Sequence, residues 1–172
     1  MTGKYSRKPK RSSSTRTKVL GRNELKEKLD AHRARGERIV FTNGCFDIIH
    51  VGHARYLEEA GRLGDVLVIG LNSDSSVAQL KPGRPVIPQA ERAEVLAALE
   101  RVDYVTIFSE DTPYDLIRFI KPDVLVKGGD WRKEDIVGGD LVPEVHSLPY
   151  IEGSSTTGII EKIRTIAQAA KT

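Results

Sequence analysis

The chain has 172 residues, of which 39% are hydrophobic, and a formal net charge of +3. These values predict one domain that is large enough to bury its own core. A single cysteine excludes an internal disulfide and is typical of a reducing compartment. No apolar run approaches the roughly 18 residues of a membrane span, and the N-terminus lacks a hydrophobic signal core. We therefore expect a cytoplasmic protein without a membrane partner.

The basic charge is concentrated at the N-terminus. Residues 1–18 carry seven lysines and arginines and no acid, whereas the rest carries 20 basic and 24 acidic side chains, a net charge of −4. Such a segment has too little apolar surface to offset the entropy of ordering, which predicts a disordered tail before a domain at 19–172. An arm for nucleic acid is the functional alternative. Because Tyr5 is the tail's only aromatic residue, we favour a solvated extension.

Hydrophobic periodicity predicts strands and helices in alternation. Apolar runs predict strands at residues 39–41, 65–71, 102–108, 123–126 and 144–148. Helical patterns are found at residues 22–35, after His53, after residues 72–74, and at 89–101, 113–120 and 156–169. The candidate N-caps of the first, fifth and last of these helices are Asn23, Asp111 or Thr112, and Ser154 or Ser155. Helices between successive strands require a parallel sheet. The predicted fold is therefore a single α/β domain with a Rossmann-like, doubly wound parallel sheet.

Residues 38–63 carry the clearest functional pattern. A short loop follows the strand, and His50-Val51-Gly52-His53 then opens a helix. A helix N-terminus offers unpaired N–H groups and partial positive charge, and two imidazoles three residues apart add donors to the same place. Gly52 would let a nucleotide approach the backbone. Ordinary surface or core histidines are the alternative, which this combination of features disfavours.

This pattern resembles a known family signature. The run Gly44-Cys45-Phe46-Asp47-Ile48-Ile49-His50-Val51-Gly52-His53 is similar to the G-x-F-D-x-x-H-x-G-H motif of the cytidylyltransferase-like nucleotidyltransferases. Over about residues 22–168 the chain most resembles the adenylyltransferase domains of bacterial ADP-heptose synthases. The narrower likeness rests on Lys127-Gly128-Gly129-Asp130-Trp131 and on Ser154-Ser155-Thr156-Thr157. The second segment contains no lysine, as is usual for members that act on sugar phosphates.

Side chains at the strand ends are expected to converge. The carboxyl ends of parallel strands meet at one edge of the sheet, and Cys45, Asn72 and Lys127 all stand at such ends. Lys81 and Arg84 are the charges of a proline-rich loop at 80–90, where cations can meet phosphate. The alternative for Lys81 and Arg84 is that they are solvated charges of the loop. The alternative for Trp131 is that it packs under the loop that follows Lys127.

The resemblance implies roles for individual residues. Residues that stabilise transferring phosphate are expected to be His50, His53, Lys81 and Lys127. Residues that hold ATP are expected to be Asn43, Gly44, Cys45, Phe46, Gly52, Asp130, Ser155, Thr156 and Thr157. Residues that hold the sugar phosphate are expected to be Asn72, Asp74, Arg84, Gly128, Gly129 and Trp131. Mg²⁺ is expected to be carried by phosphate oxygens and water without a protein ligand, while Asp47 orients its loop.

Arg92 allows two interpretations. In the superfamily an arginine in this segment often supports phosphate binding or a dimer contact. A surface pair with a glutamate is the alternative.

The implied reaction is the transfer of AMP from ATP to D-glycero-β-D-manno-heptose 1-phosphate, which gives ADP-heptose for the lipopolysaccharide core. The acceptor phosphate is already ionised, so positioning and charge stabilisation suffice. A homodimer is expected, as is a separate sugar kinase, because only the tail precedes the domain. The alternatives are a cytidylyltransferase for glycerol 3-phosphate, an FMN adenylyltransferase, and a non-catalytic protein that binds nucleotide or RNA.

Overall fold

A computed structural model of the protein describes residues 14–129, 131–149, 153 and 155–170. The strands are β1 (Ile39–Gly44), β2 (Val66–Asn72), β3 (Tyr104–Phe108), β4 (Val124–Gly128) and β5 (Glu144–Leu148). The α-helices are α1 (Arg22–Arg33), α2 (Val51–Gly61), α3 (Asp74–Leu80), α4 (Gln89–Ala98), α5 (Tyr114–Ile120) and α6 (Thr156–Ala169). None of these helices has the length and apolarity that crossing a membrane requires.

The strands form one parallel sheet in the order β3-β2-β1-β4-β5. From β1 the chain runs outward through β2 to β3, and it then returns to the other side of β1 to form β4 and β5. The order therefore reverses between β1 and β4, where Thr42 is in register with Val126. This arrangement confirms the predicted doubly wound sheet, and in such sheets ligands bind beyond the strand ends at the reversal.

The apolar patterns follow from helices on both faces of the sheet. Strand β2 is buried at all of its residues, as expected for a central strand covered on both sides. One core cluster packs α1 and α5 against Phe41 of β1, and the other packs α2 and α4 against Ile69 of β2. Gly70 is required by this packing, because a Cβ there would lie 2.7 Å from the Phe41 ring.

Several predicted boundaries are wrong by a few residues. Strand β1 continues through Gly44, because ladder pairing with β2 extends as far as Gly44 and Leu71. Helix α1 begins after Gly21 without a side-chain cap, so Asn23 is not its N-cap. Helix α5 begins after Pro113, which replaces the predicted caps at the two preceding residues.

The first of the described residues also differ from the prediction. The disordered tail was expected to include residues 14–18, yet Thr15–Thr17 form a 3-10 helix. Val19 forms a parallel bridge with Val105 at the edge of the sheet, and Lys18 Nζ donates to the carbonyl of Val102. These backbone and side-chain hydrogen bonds compensate for the low apolar content of the segment. Residues 1–13, where the rest of the predicted tail falls, lie outside the described residues.

Candidate active site

A cavity of about 750 Å³ lies beyond the carboxyl ends of β1 and β4. Four segments contribute to it, namely the loop after β1, the start of α2, the end of β4, and the start of α6. The loop after α3 closes one side with Lys81 and Arg84. A cavity at the reversal of strand order is the expected position for a ligand in this class of sheet.

The two predicted histidines form a stacked pair at the start of α2. Their ring centroids are 3.9 Å apart and the ring planes differ by 29°. His50 is the N-cap residue, and its Nδ1 accepts a hydrogen bond from the backbone N–H of Gly52 at 3.1 Å. Because Nδ1 is the acceptor, the proton of the neutral His50 ring is on Nε2, where it can be donated.

His53 is held in a neutral state by its surroundings. Burial, with smaller contributions from His50 and Lys81, lowers the pKa of His53 from 6.5 to about 4. Burial also lowers the pKa of His50. The His53 ring lies 5.2 Å from the Phe46 ring, and its buried Nδ1 has no hydrogen-bond partner among the described residues. At neutral pH the pair therefore offers neutral N–H donors rather than fixed positive charge.

Two lysines supply positive charge at the cavity. Lys127 is the last residue but one of β4 and is half-buried, whereas Lys81 is exposed on the loop after α3. Burial lowers the pKa of Lys127; the Cys45 thiol opposes this shift and Lys81 adds to it. Two cations near one cavity repel each other unless an anion lies between them, which favours an anionic ligand.

The N-terminus of α6 forms the opposite wall. Ser155 caps the helix, as predicted, and its Oγ accepts from the N–H of Gly158 at 3.0 Å. The Thr156 hydroxyl donates to the carbonyl of Ile48 at 3.3 Å, which links α6 to the loop after β1. Unpaired N–H groups and hydroxyls at a helix start are suited to phosphate oxygens.

Asp47 fixes the loop that carries Arg84. Its carboxylate accepts from Arg84 at 2.8 Å and from the backbone N–H groups of Val86 and Ile87 at 2.8 and 2.9 Å. Burial alone would raise the pKa of Asp47, but the Arg84 bond and the two amide bonds outweigh it and lower the pKa. Asp47 therefore holds the proline-rich loop that carries Arg84, whereas the prediction was that Asp47 orients its own loop.

Arg92 has a structural role that the sequence did not indicate. Its fully buried guanidinium donates to the backbone carbonyls of Cys45, Asn72 and Ile87 and to the carboxylate of Asp74. The surface-pair interpretation is wrong, because the side chain has no solvent exposure. Arg92 instead ties together the loop after β1, the end of β2 and the proline-rich loop.

The structure brings most of the predicted site residues together. Those that line the cavity are Asn43, Gly44, Cys45, Phe46, His50, Gly52, His53, Lys81, Arg84, Lys127, Gly128, Ser155, Thr156 and Thr157. Tyr56 also lines it, although its place in an apolar helical pattern suggested only core packing. Its spacing of three residues from His53 was the available signal, because residues so spaced share one helix face.

Other predicted site residues are not among the cavity-lining residues. Asn72 is buried and donates to the Ser76 hydroxyl, while Asp74 binds Arg92, so both are committed to structural bonds. Gly129 lies just beyond β4. Trp131 is 48% exposed, and its indole N–H donates to the carbonyl of Gly128. Asp130 lies outside the described residues, as does Ser154, the alternative cap of α6.

The described residues that line the cavity do not form a metal-binding site. Asp47 is the one carboxylate among them, and its oxygens are already engaged by Arg84 and two backbone amides. Within the described ranges, no group of three histidine, cysteine or acidic side chains is arranged to hold a metal ion.

Comparison with known proteins agrees with this geometry. The cytidylyltransferase-like family matches residues 41–162. The bifunctional protein HldE of a Nitratiruptor species is 58% identical over 137 residues, which are 79% of this chain and 29% of that protein. The bifunctional protein HldE of Syntrophotalea carbinolica is 53% identical over 152 residues, 86% of this chain and 31% of that one. The chain therefore spans about three tenths of the length of these relatives.

Solved structures give the same fold. The lipopolysaccharide core biosynthesis protein from Thermoplasma volcanium is 26% identical and superposes with a TM-score of 0.59, covering 68% of this chain and 100% of that one. Pantothenate synthetase from Thermus thermophilus, at 16% identity, has a TM-score of 0.54 over 78% of this chain and 62% of that one, a likeness of fold alone. Because the family match covers well over half of the chain, the chain belongs to the cytidylyltransferase-like family of nucleotidyltransferases.

Proposed function

We propose that this protein is an adenylyltransferase that transfers AMP from ATP to D-glycero-β-D-manno-heptose 1-phosphate. The products are ADP-heptose, a precursor of the lipopolysaccharide core, and pyrophosphate. The observation that carries the proposal is the stacked His50–His53 pair, which faces the same cavity as Lys127 and the start of α6. The likeness to the bifunctional HldE proteins and to a lipopolysaccharide core biosynthesis protein supports this choice of substrate.

The reaction is an in-line displacement at the α-phosphorus of ATP. An oxygen of the sugar phosphate forms a bond to phosphorus while the bond to the bridging oxygen of pyrophosphate breaks. His50 Nε2–H and the His53 ring donate to the α- and β-phosphates as negative charge builds on them. A single preorganised donor of this kind contributes roughly 3–4 kcal/mol to transition-state stabilisation. Thr156, Thr157 and the N–H groups at the start of α6 hold the β- and γ-phosphates.

The remaining charges position the acceptor. Lys127 and Lys81 bind the sugar phosphate and offset its repulsion by the triphosphate. Mg²⁺ bound with ATP would supply further charge neutralisation. Among the described cavity residues, Asp47 is the one carboxylate that could help to hold it, and Asp47 is already engaged by Arg84 and two backbone amides. The nucleophile arrives ionised, so the transfer requires no general base.

The cellular setting belongs to the same proposal. The acceptor is a sugar phosphate, so a sugar kinase must supply it, and the relatives named bifunctional extend well beyond the matched region. We place the protein in the cytoplasm, where ATP is available, and we propose that it acts as a homodimer. Nucleic acid is not part of the reaction, so deletion of residues 1–13 is expected to leave turnover intact.

Pyrophosphate release by the purified protein tests the proposal. ATP or CTP, each with Mg²⁺, is offered against the heptose 1-phosphate, glycerol 3-phosphate and FMN. We expect release of pyrophosphate with ATP and the heptose 1-phosphate. The rate of release should fall at least a hundredfold in His53→Gln. It should not fall in His146→Gln, because His146 lies on β5 and is not among the residues that line the cavity. Release with glycerol 3-phosphate and CTP alone would instead assign a cytidylyltransferase. No release with any pair would contradict the catalytic assignment.

A further inference from the structure

Tyr56 occupies a position between the histidine pair and the centre of the sheet. It lies three residues after His53 on α2, so both side chains are on the same face of the helix. Its hydroxyl lies 2.7 Å from Oγ1 of Thr42 on β1 and 3.2 Å from the carbonyl oxygen of Val126 on β4. Thr42 and Val126 are register partners at the point where strand order reverses.

The directions of these two hydrogen bonds follow from the number of protons available. A phenol has one proton, and Tyr56 donates it to the Val126 carbonyl, which can only accept. The Thr42 hydroxyl must then be the donor in its bond with Tyr56. Thr42 is fully buried, and a buried hydroxyl without a partner is costly. The three groups therefore form an ordered chain from β1 through α2 to β4.

This series of hydrogen bonds connects the elements that carry the proposed catalytic groups. The residue after Val126 is Lys127, and the His50–His53 pair lies at the start of α2. The rest of α2 packs on the sheet through Leu57 and Ala60, and such apolar contacts are not directional. A hydrogen bond is directional, so Tyr56 is the contact best suited to fix the position of α2 along the strands.

We propose that Tyr56 is a positioning residue for adenylyl transfer, whose hydroxyl holds the His50–His53 pair at a fixed distance from Lys127. This inference rests on the proposed function. Transition-state stabilisation depends on donors placed to within a fraction of an ångström, whereas ground-state binding of a triphosphate draws on many contacts. Loss of the hydroxyl is therefore expected to lower kcat more than it weakens binding of ATP.

The test uses Tyr56→Phe, Thr42→Val, their double variant and the conservative Thr42→Ser. Tyr114→Phe is the matched control, because the Tyr114 hydroxyl donates to Asp140 and neither residue is among those that line the cavity. We expect Tyr56→Phe to lower kcat about tenfold, equivalent to about 1.4 kcal/mol of barrier, with the KM for ATP changed less than about twofold. The kcat of the double variant should be no lower than that of Tyr56→Phe alone. The kcat values of Thr42→Ser and Tyr114→Phe should match that of the wild type.

A second readout does not depend on turnover. Imidazole nitrogen resonances of His50 and His53 are followed by NMR through a pH titration of the wild type, Tyr56→Phe and Tyr114→Phe. We expect the His53 signals to move in Tyr56→Phe and to stay unchanged in Tyr114→Phe, since the hydroxyl acts through the orientation of α2.

The two readouts separate the possible failures. Absence of pyrophosphate release by the wild type would refute the proposed function, while the histidine spectra would still decide the role of Tyr56. Unchanged His53 resonances in Tyr56→Phe would overturn the positioning inference. A raised KM for ATP with unchanged kcat would also overturn it, because Tyr56 would then contact the substrate directly.

Discussion

The lowered pKa of His53 makes the stability of the protein depend on pH in a predictable direction. The folded chain holds this imidazole at a pKa of about 4, against 6.5 for the ordinary group. Between these two values the unfolded chain binds a proton here and the folded chain does not. The contribution of His53 to stability is therefore fully present above pH 6.5 and is lost as the pH is lowered towards 4.

The size of this effect follows from the shift. A difference of about 2.5 pKa units corresponds to about 3 kcal/mol when the titration is complete. The ring borders an open cavity and is partly exposed, so screening by water reduces the expected loss to about 1–2 kcal/mol. His53→Gln should remove that part of the pH dependence, because glutamine fills similar space without titrating.

Urea unfolding at about pH 7 and about pH 5, on either side of the ordinary histidine pKa, measures the difference directly. We expect the wild type to lose more stability than His53→Gln between these pH values. Added ATP should reduce the loss, since negative phosphate oxygens near the ring raise its pKa in the complex. Equal pH dependence in the wild type and His53→Gln would show that burial does not hold this histidine neutral.

Four further substitutions test the packing around the site. Arg92→Met should lower the free energy of unfolding by about 3–5 kcal/mol in urea titrations, because three carbonyls and one carboxylate lose a buried donor; an unchanged midpoint would contradict this. Asp47→Asn should raise the protease sensitivity of the proline-rich loop, seen as faster cleavage near residues 81–87, by weakening three hydrogen bonds. Gly70→Ala should cost about 1–3 kcal/mol, measured as a lower Tm, because its Cβ would meet the Phe41 ring. Thr106→Val should keep or raise the Tm, since the buried Thr106 hydroxyl has no partner among the described residues.

The parts of the site that could be predicted are those encoded by adjacent residues. The strand, loop and helix from β1 to α2 are contiguous, so spacing alone placed His50 and His53 together at a helix start. Ser155 likewise caps the helix that it precedes. Parallel topology then brought Lys127 to the same edge, because the carboxyl ends of parallel strands meet there.

The parts that could not be predicted depend on contacts between distant segments. Asn72 and Asp74 stand at a strand end and were expected to bind the sugar phosphate, but Arg92 engages both from 20 and 18 positions further along the chain. The Arg92 guanidinium also reaches Cys45, 47 positions away. The pattern of a single sequence does not indicate which polar groups a buried arginine will bind. Residues that bind Arg92 could therefore not be distinguished from residues that bind a ligand.

The chemical groups that line the cavity also limit which class of acceptor can react there. Of the described residues that line it, Asp47 is the one carboxylate, and both of its oxygens already accept hydrogen bonds. Several of the other polar groups offer hydrogen-bond donors or positive charge, namely the His50–His53 pair, Lys81, Lys127 and the start of α6. The pKa of His53, lowered to about 4, makes its neutral ring a weak base. Such a site is poorly equipped to remove a proton from an alcohol or an amine, but it is well suited to bind an oxygen that is already negative. A phosphate monoester, with a second pKa of about 6, brings that oxygen at neutral pH. The arrangement of charge therefore favours a phosphate acceptor independently of any likeness to other proteins.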